Sequence, residues 1–274
     1  MKVGFFYTAA QLDEHRLALK AMQNGVSKQD ETFFGYDSQY RPCDLAVTWS
    51  IYKTKLPHTK TREIIHNKQK SKNKKVIVIE KGYINRSKYY SVGYNSQNGW
   101  ADFKNKDMPP DRFHNLGVKL KEYRKGGEHI LLCGQVPWDT SVQHIDYAEW
   151  CENIVKQIKK YTNKTIIFRP HPLAAGAITE IAGAKTSNKE SLKEDLENCW
   201  AVVSYNSNSL VEAAIEGFPV FACSNGSMAW DISENLIDLD NPKLYNRKQW
   251  AYNIAYSQWN LTEMHSGKTW EHLK

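Results

Sequence analysis

Three short segments carry side chains able to act on a phosphate or a sugar hydroxyl. Arg169-Pro170-His171-Pro172 sets a cation and an imidazole between prolines, which end regular structure and turn both groups outward. Arg169 and His171 could together neutralise charge building on a departing phosphate without a metal; the plainer reading of His171 is a histidine bonded to backbone. Ser204-Tyr205-Asn206-Ser207-Asn208-Ser209 is polar and runs into a helical pattern, Leu210–Glu216. Ser207, Asn208 and Ser209 there offer hydroxyls, amides and the positive end of a dipole, a setting that suits a phosphate. Glu212, one turn further on, can accept from ribose hydroxyls or simply be a solvated helix charge. Gln135, in Gly134-Gln135-Val136-Pro137, can pair with a base edge or a sugar hydroxyl, or else cap its own turn. Transfer to a hydroxyl also needs a carboxylate to take its proton. Glu80, kept ionised by its neighbour Lys81, and Asp102, in the aromatic loop of Trp100 and Phe103, are the first-half candidates; Asp139 is a third. No His/Cys cluster has ligand spacing, so metal independence and no cofactor are expected.

The elements that must position these groups are legible as βαβ units. Ile166–Phe168 and Ala201–Val203 read as buried strands, and Gly217-Phe218-Pro219 caps a helix and launches a third strand, Val220–Cys223. His129–Cys133 opens this series, with a long helix at Tyr147–Tyr161 and a short one at Ser191–Asn198. Strand–helix alternation of this kind predicts an α/β fold with a parallel sheet, whose ligand sites lie at the carboxyl ends of its strands. The first half shows the same grammar less regularly: strands at Lys2–Tyr7, Cys43–Trp49 and Lys75–Ile79, and helices at Leu12–Met22, ending before Gly25, and Asp111–Lys125. The Gly-, Asn- and aromatic-rich stretch 80–103 reads as a long structured loop. Residues 1–125 and 126–248 are expected to form two domains, with 249–274 a helical tail whose aromatics pack on the body.

Of 274 residues 41% are hydrophobic, and no apolar run approaches the roughly 20 residues of a membrane helix. Five scattered cysteines with no CxxC predict reduced thiols and a cytoplasmic protein. The net charge of +7 is concentrated: residues 53–75 carry nine Lys and Arg against one acid, Glu63, so the rest of the chain is slightly acidic. Either this is a solvated helix and loop, or Lys70, Lys72, Lys74 and Lys75 dock a polyanion.

The motifs at Gln135-Val136-Pro137 and Arg169-Pro170-His171-Pro172, with the loop and helix Tyr205–Gly217, resemble those of bacterial capsule polysaccharide glycosyltransferases that attach β-linked Kdo to a lipid. The resemblance spans about Glu128–Cys223. It implies a GT-B-like enzyme: two Rossmann-like domains facing across a cleft, the second binding most of a nucleotide-sugar co-substrate. Where that family carries Glu-Asp-Gly, with the Asp as base, this chain has Glu80-Lys81-Gly82, so lysine holds the carboxylate position. The form EKGYINR…YYSVGYNSQNGWADF also resembles small glycosyltransferase-like proteins of bacteriophages, which implies a hydroxymethylated pyrimidine in duplex DNA as acceptor. A glycolipid acceptor of the capsule type, a non-enzymatic nucleic-acid-binding protein and a sugar-nucleotide epimerase are the rival readings. The absence of a clean GxGxxG argues against a dinucleotide.

Overall fold

A computed structural model describes residues 1–7, 13–36, 39–52, 59–174 and 176–274. Part of the basic segment, 53–58, and the start of the first helix at Leu12 therefore lie outside the described residues. The chain divides into two compact units, Met1–Leu116 with Ala251–Lys274, and Gly117–Trp250.

The first unit is built on β1 (Lys2–Tyr7), α1 (Asp13–Val26), β2 (Glu31–Tyr36), β3 (Leu45–Trp49), α2 (Lys60–Lys70), β4 (Val76–Lys81), β5 (Tyr89–Tyr94) and α3 (Asp111–Asn115). The second contains β6 (His129–Cys133), α4 (Tyr147–Tyr161), β7 (Thr165–Arg169), β8 (Lys185–Thr186), α5 (Leu192–Asp195), β9 (Cys199–Ser204), α6 (Ser209–Ile215) and β10 (Val220–Ala222). After α7 (Lys248–Ala255) the chain returns to the first unit as β11 (Gln258–Asn260), α8 (Leu261–Ser266) and α9 (Lys268–Leu273).

The second sheet is wholly parallel, in the order β10-β9-β6-β7-β8. Its strands β6, β9 and β10 are buried on both faces, as a sheet covered by helices on each side requires, while the edge strand β8 is polar and exposed. One core layer joins Ile130, Leu132, Phe168, Ala201 and Val203 to Ile154, Val155 and Ile158 of α4. The helix α4 runs over the expected residues, and Asp146 caps it by accepting from the Glu149 amide at 3.0 Å. The expected cap at Gly217 is present too: its φ is +92°, and the Phe218 amide donates to the Ala213 carbonyl at 3.0 Å.

The first sheet has the order β11-β5-β4-β3-β1-β2. Strands β1 to β4 are parallel, whereas β5 is antiparallel to both β4 and β11. Alternation along the strands divides its core. Val47, Trp49, Ile77 and Ile79 pack with α1 residues Leu19 and Met22, while Ala46, Val76 and Val78 pack with Ile65 of α2.

Four expectations are corrected here. The stretch 80–103 is not all loop, because Tyr89–Tyr94 forms β5, and the turns around it use Asn85, Asn95 and Asn98 at positive φ. Helix α3 ends at Asn115 instead of running to Lys125, since Gly117 takes φ +68°. Helix α1 continues through Gly25, where a Cβ would strike the Met264 carbonyl of α8. Finally, the segment read as a helical tail also supplies a strand, β11, paired with β5.

Candidate functional site

In the second unit β6 is the first strand, with β7 on one side and β9 on the other, so the direction of strand addition reverses between β6 and β9. Such a switch point opens a crevice at the carboxyl ends of the two strands. The segments singled out for chemistry are the exits of β6, β7 and β9. At the switch point Gln135 and Asn206 interlock. The Gln135 amide nitrogen Nε2 donates to Asn206 Oδ1 at 2.7 Å, and its Oε1 accepts from the Asn206 backbone at 2.9 Å. Gln135 Nε2 also reaches Ser141 Oγ (3.1 Å), Ser141 Oγ donates to Asp139 Oδ1 (2.8 Å), and Asn206 Nδ2 donates to the Ser141 carbonyl (3.1 Å). Gln135, Ser141 and Asn206 are all buried. A closed network like this is stiff, and it fixes the two strand exits against each other. Asp139, the third carboxylate considered, is thereby an acceptor inside a turn.

Arg169 leaves β7 at the carboxyl edge, but its guanidinium turns into the protein. It pairs with Asp195 Oδ2 at 2.5 Å and donates to the carbonyls of Lys189 and Glu190, each at 3.1 Å. The side chains are 14% and 2% exposed. The cation read as a phosphate ligand is thus occupied by protein partners. His171, half-buried, accepts from the Leu173 amide at Nδ1 (3.1 Å), which leaves the proton of the neutral ring on Nε2 as a donor. Ser207 Oγ accepts from the Ser209 amide at 3.3 Å, and Asn208 Nδ2 donates to Glu212 Oε1 at 3.0 Å on the outer side of α6. Gln135, His171, Ser207, Asn208 and Ser209 therefore belong to exits at one sheet edge, and Glu212 stands on the helix behind them.

In the first unit parity separates two neighbours. Ile77 and Ile79 face α1, so Lys81 does too; Val76 and Val78 face α2, and so does Glu80. Lys81 Nζ accordingly pairs with Glu14 of α1 at 2.6 Å, not with Glu80 as its adjacency in sequence implied. Asp102 bridges Tyr94, which is in register with Ile77 near the start of β4. It therefore lies at the amino-terminal edge, away from the strand exits, and ion-pairs with Lys104 at 2.8 Å. Burial pushes the Asp102 carboxyl up, but the Lys104 hydrogen bonds outweigh it and leave the group below its ordinary value. Lys70 ends α2, and Lys72, Lys74 and Lys75 lie between it and β4, at that same amino-terminal edge. Lys74 Nζ is held by Asp44 Oδ1 (2.9 Å) and the Cys43 carbonyl (2.8 Å). The ammonium groups of Lys72 and Lys75 sit over the rings of Tyr40 and Tyr94.

Sequence reasoning missed the partners that organise these places: Ser141 and Asn206 in the switch-point network, Glu14 at the first turn of α1, and an aromatic group formed by Tyr205, His144, Trp150 and Tyr147. It also passed over Asp238-Leu239-Asp240, an acidic pair about a fully buried leucine whose carbonyl accepts from Trp200 Nε1 at 2.7 Å. No three His, Cys, Asp or Glu among the described residues are grouped to hold a metal. The five cysteines are free, and burial pushes the Cys133 and Cys151 thiols up to about 12, so neither is a nucleophile near neutrality. No helix among the described residues is long and apolar enough to cross a membrane.

No protein-family model and no curated protein matches the chain. Among solved structures it resembles the KpsC β-Kdo 2,7 transferase of Thermosulfurimonas dismutans, with 12% identity and a TM-score of 0.59, over 95% of this chain and 92% of that one. A UDP-GlcNAc 2-epimerase of Methanocaldococcus jannaschii, in complex with UDP-GlcNAc and UDP, aligns at 13% identity and a TM-score of 0.36, over 92% of this chain and 98% of that one. At 12% identity the first likeness gives the fold alone: mixed α/β and GT-B-like, with two Rossmann-like domains.

Proposed function

We propose that the protein is a nucleotide-sugar-dependent glycosyltransferase whose second unit binds the donor nucleotide. The observation that carries this reading is the parallel sheet ordered β10-β9-β6-β7-β8, with the Gln135–Asn206 network buried at its switch point and the exits of β6, β7 and β9 around it. Within that reading, His171 donates from Nε2 toward a phosphate oxygen, the loop 207–209 supplies amides and hydroxyls, and Gln135 shapes the crevice floor from below. Glu80, at the carboxyl edge of the first sheet, stays the proposed base. The test is thermal stabilisation by a panel of UDP-, CMP-, GDP- and TDP-linked sugars. A ligand at a hundred times its Kd stabilises the native state by about 2.7 kcal/mol, so the true donor raises the midpoint clearly. A panel in which no nucleotide sugar stabilises the protein overturns the proposal.

For the acceptor, the finer reading is a hydroxymethylated pyrimidine in duplex DNA, and the positive charge of 53–75 supports it. Binding through Lys70, Lys72 and Lys75 predicts an affinity that falls steeply with salt, with a slope that flattens when these residues are neutralised. If the protein shows no salt-dependent affinity for duplex DNA and transfers sugar to a glycolipid instead, the capsule-type acceptor takes its place.

A further inference from the structure

Tyr205 is the first residue after β9 and so stands at the switch point itself. Odd-numbered residues of β9, Ala201 and Val203, face the layer under α4, and Tyr205 continues on that side. Its ring is held from two directions. Trp150, near the start of α4, meets it edge-on at 5.3 Å between centroids and 77° between planes, and is itself stacked on Tyr147 at 5.4 Å. His144 Nε2 lies 3.0 Å from the Tyr205 hydroxyl. Tyr205 is only half-buried, whereas its neighbour Asn206 and the Gln135 and Ser141 bonded to it are closed off. The crevice thus has a polar, rigid floor and one aromatic ring fixed in orientation on its α4 side. A ring held in place loses little freedom when a flat ligand lies on it.

We infer that Tyr205 is the shelf on which the donor's nucleobase stacks, with Trp150 and His144 setting its angle. The ligand class is a nucleoside diphosphate or monophosphate carrying a sugar. Stacking on one ring tolerates any base, because every base has a π-face. Discrimination between bases then falls to polar groups around the shelf, His144 first among them. This inference rests on the donor-site reading above and adds the residue that recognises the base.

The experiment is calorimetric titration of the full chain with UDP, CMP, GDP and inorganic pyrophosphate, for the wild type, Tyr205→Leu and Tyr205→Trp. Leucine keeps most of the volume against Trp150 but has no π-face, and tryptophan keeps the stack. Loss of one base-stacking ring corresponds to about 5- to 150-fold in Kd. Tyr205→Leu should weaken the bound nucleotide by that factor while pyrophosphate affinity stays within about twofold, and Tyr205→Trp should restore the nucleotide. The inference is overturned if Tyr205→Leu binds nucleotide as the wild type does, or if nucleotide and pyrophosphate weaken together in Tyr205→Leu and tryptophan does not rescue. If the wild type itself binds no nucleotide, the donor-site reading fails first.

Discussion

Replacing Arg169 with alanine separates two roles that the sequence leaves superposed. As a phosphate ligand, the guanidinium would be missed only by the donor. The geometry predicts a loss of stability in the second unit instead. Three hydrogen bonds leave with the side chain: one to Asp195 at 2.5 Å and two to the carbonyls of Lys189 and Glu190 at 3.1 Å. Asp195, 2% exposed, keeps among the described residues the Ser187 hydroxyl at 2.5 Å as its side-chain partner. Removing one member of a buried pair strands the other charge and costs about 3–5 kcal/mol. Because the Arg169 side chain is 14% exposed, the lower half of that range is the better expectation. Urea unfolding followed by tryptophan fluorescence and by circular dichroism, with a transition fitted for each unit, reads it directly. The double variant Arg169→Met/Asp195→Leu should recover most of the loss, since it leaves no unpaired charge. An Arg169→Ala protein that unfolds within about 1 kcal/mol of the wild type, yet binds the donor poorly, would refute this reasoning and return the arginine to the phosphates.

Two further outcomes follow from the first unit. Asp30 accepts from Lys274 Nζ at 2.7 Å and from Trp270 Nε1 at 2.9 Å, and chiefly the Lys274 ammonium holds its carboxyl well below the usual carboxylate range. A depressed folded pKa gives stability that is full above the unfolded value of about 3.9 and is lost as pH falls through the folded one; Asp30→Asn should therefore be less stable than the wild type at pH 7, with the gap closing below about pH 4 in acid titrations of the unfolding midpoint. Gly25→Ala drives a Cβ into the Met264 carbonyl, a backbone atom that cannot swing aside. It should cost about 1–3 kcal/mol or more and raise the hydrogen-exchange rates of α8 and α9; unchanged exchange there would show that α1 and α8 can part without loss.

What the sequence made legible was whatever depends on local pattern. The βαβ grammar of 128–223, helix Tyr147–Tyr161 and the cap at Gly217 are all present, because β-branched runs, a 3.6-residue period and a glycine after a helix each act within a few residues. What failed depended on partners far along the chain. Tyr89–Tyr94 alternates poorly because β5 is buried, covered on both faces, and it needs β11 from residues 258–260 to complete its pairing. Gly25 looks like a helix terminator, and only the approach of α8 shows why a glycine sits inside α1. At the strand exits, Gln135 and the loop 204–209 were singled out by type and position. Asn206 was passed over beside its serine neighbours, although it is the residue that closes on Gln135 across 71 positions.

The first unit shows how far a one-dimensional reading of charge can mislead about place. Glu80 and Lys81 are adjacent, and adjacency on paper implies a pair. In a strand it implies opposite faces, and the salt bridge from Lys81 to Glu14 at 2.6 Å is the result. The lysine cluster poses the same problem along the strand instead of across it. Lys75 immediately precedes β4 and Lys81 ends it. At about 3.3 Å per residue the two stand roughly 20 Å apart. A polyanion held by Lys70, Lys72 and Lys75 would rest at the amino-terminal edge, whereas Glu80 and Glu14 stand at the carboxyl edge. Lys74 is drawn further from that role by Asp44, whose carboxylate raises the lysine's pKa through their hydrogen bond. Charge in this segment can raise the local concentration of an anionic partner, but it cannot itself present a hydroxyl to a base at the other end of the strand. In the transfer reaction proposed above, the acceptor hydroxyl is met at the strand exits, so neutralising the lysines should change affinity and its salt dependence and leave the choice of hydroxyl as it was.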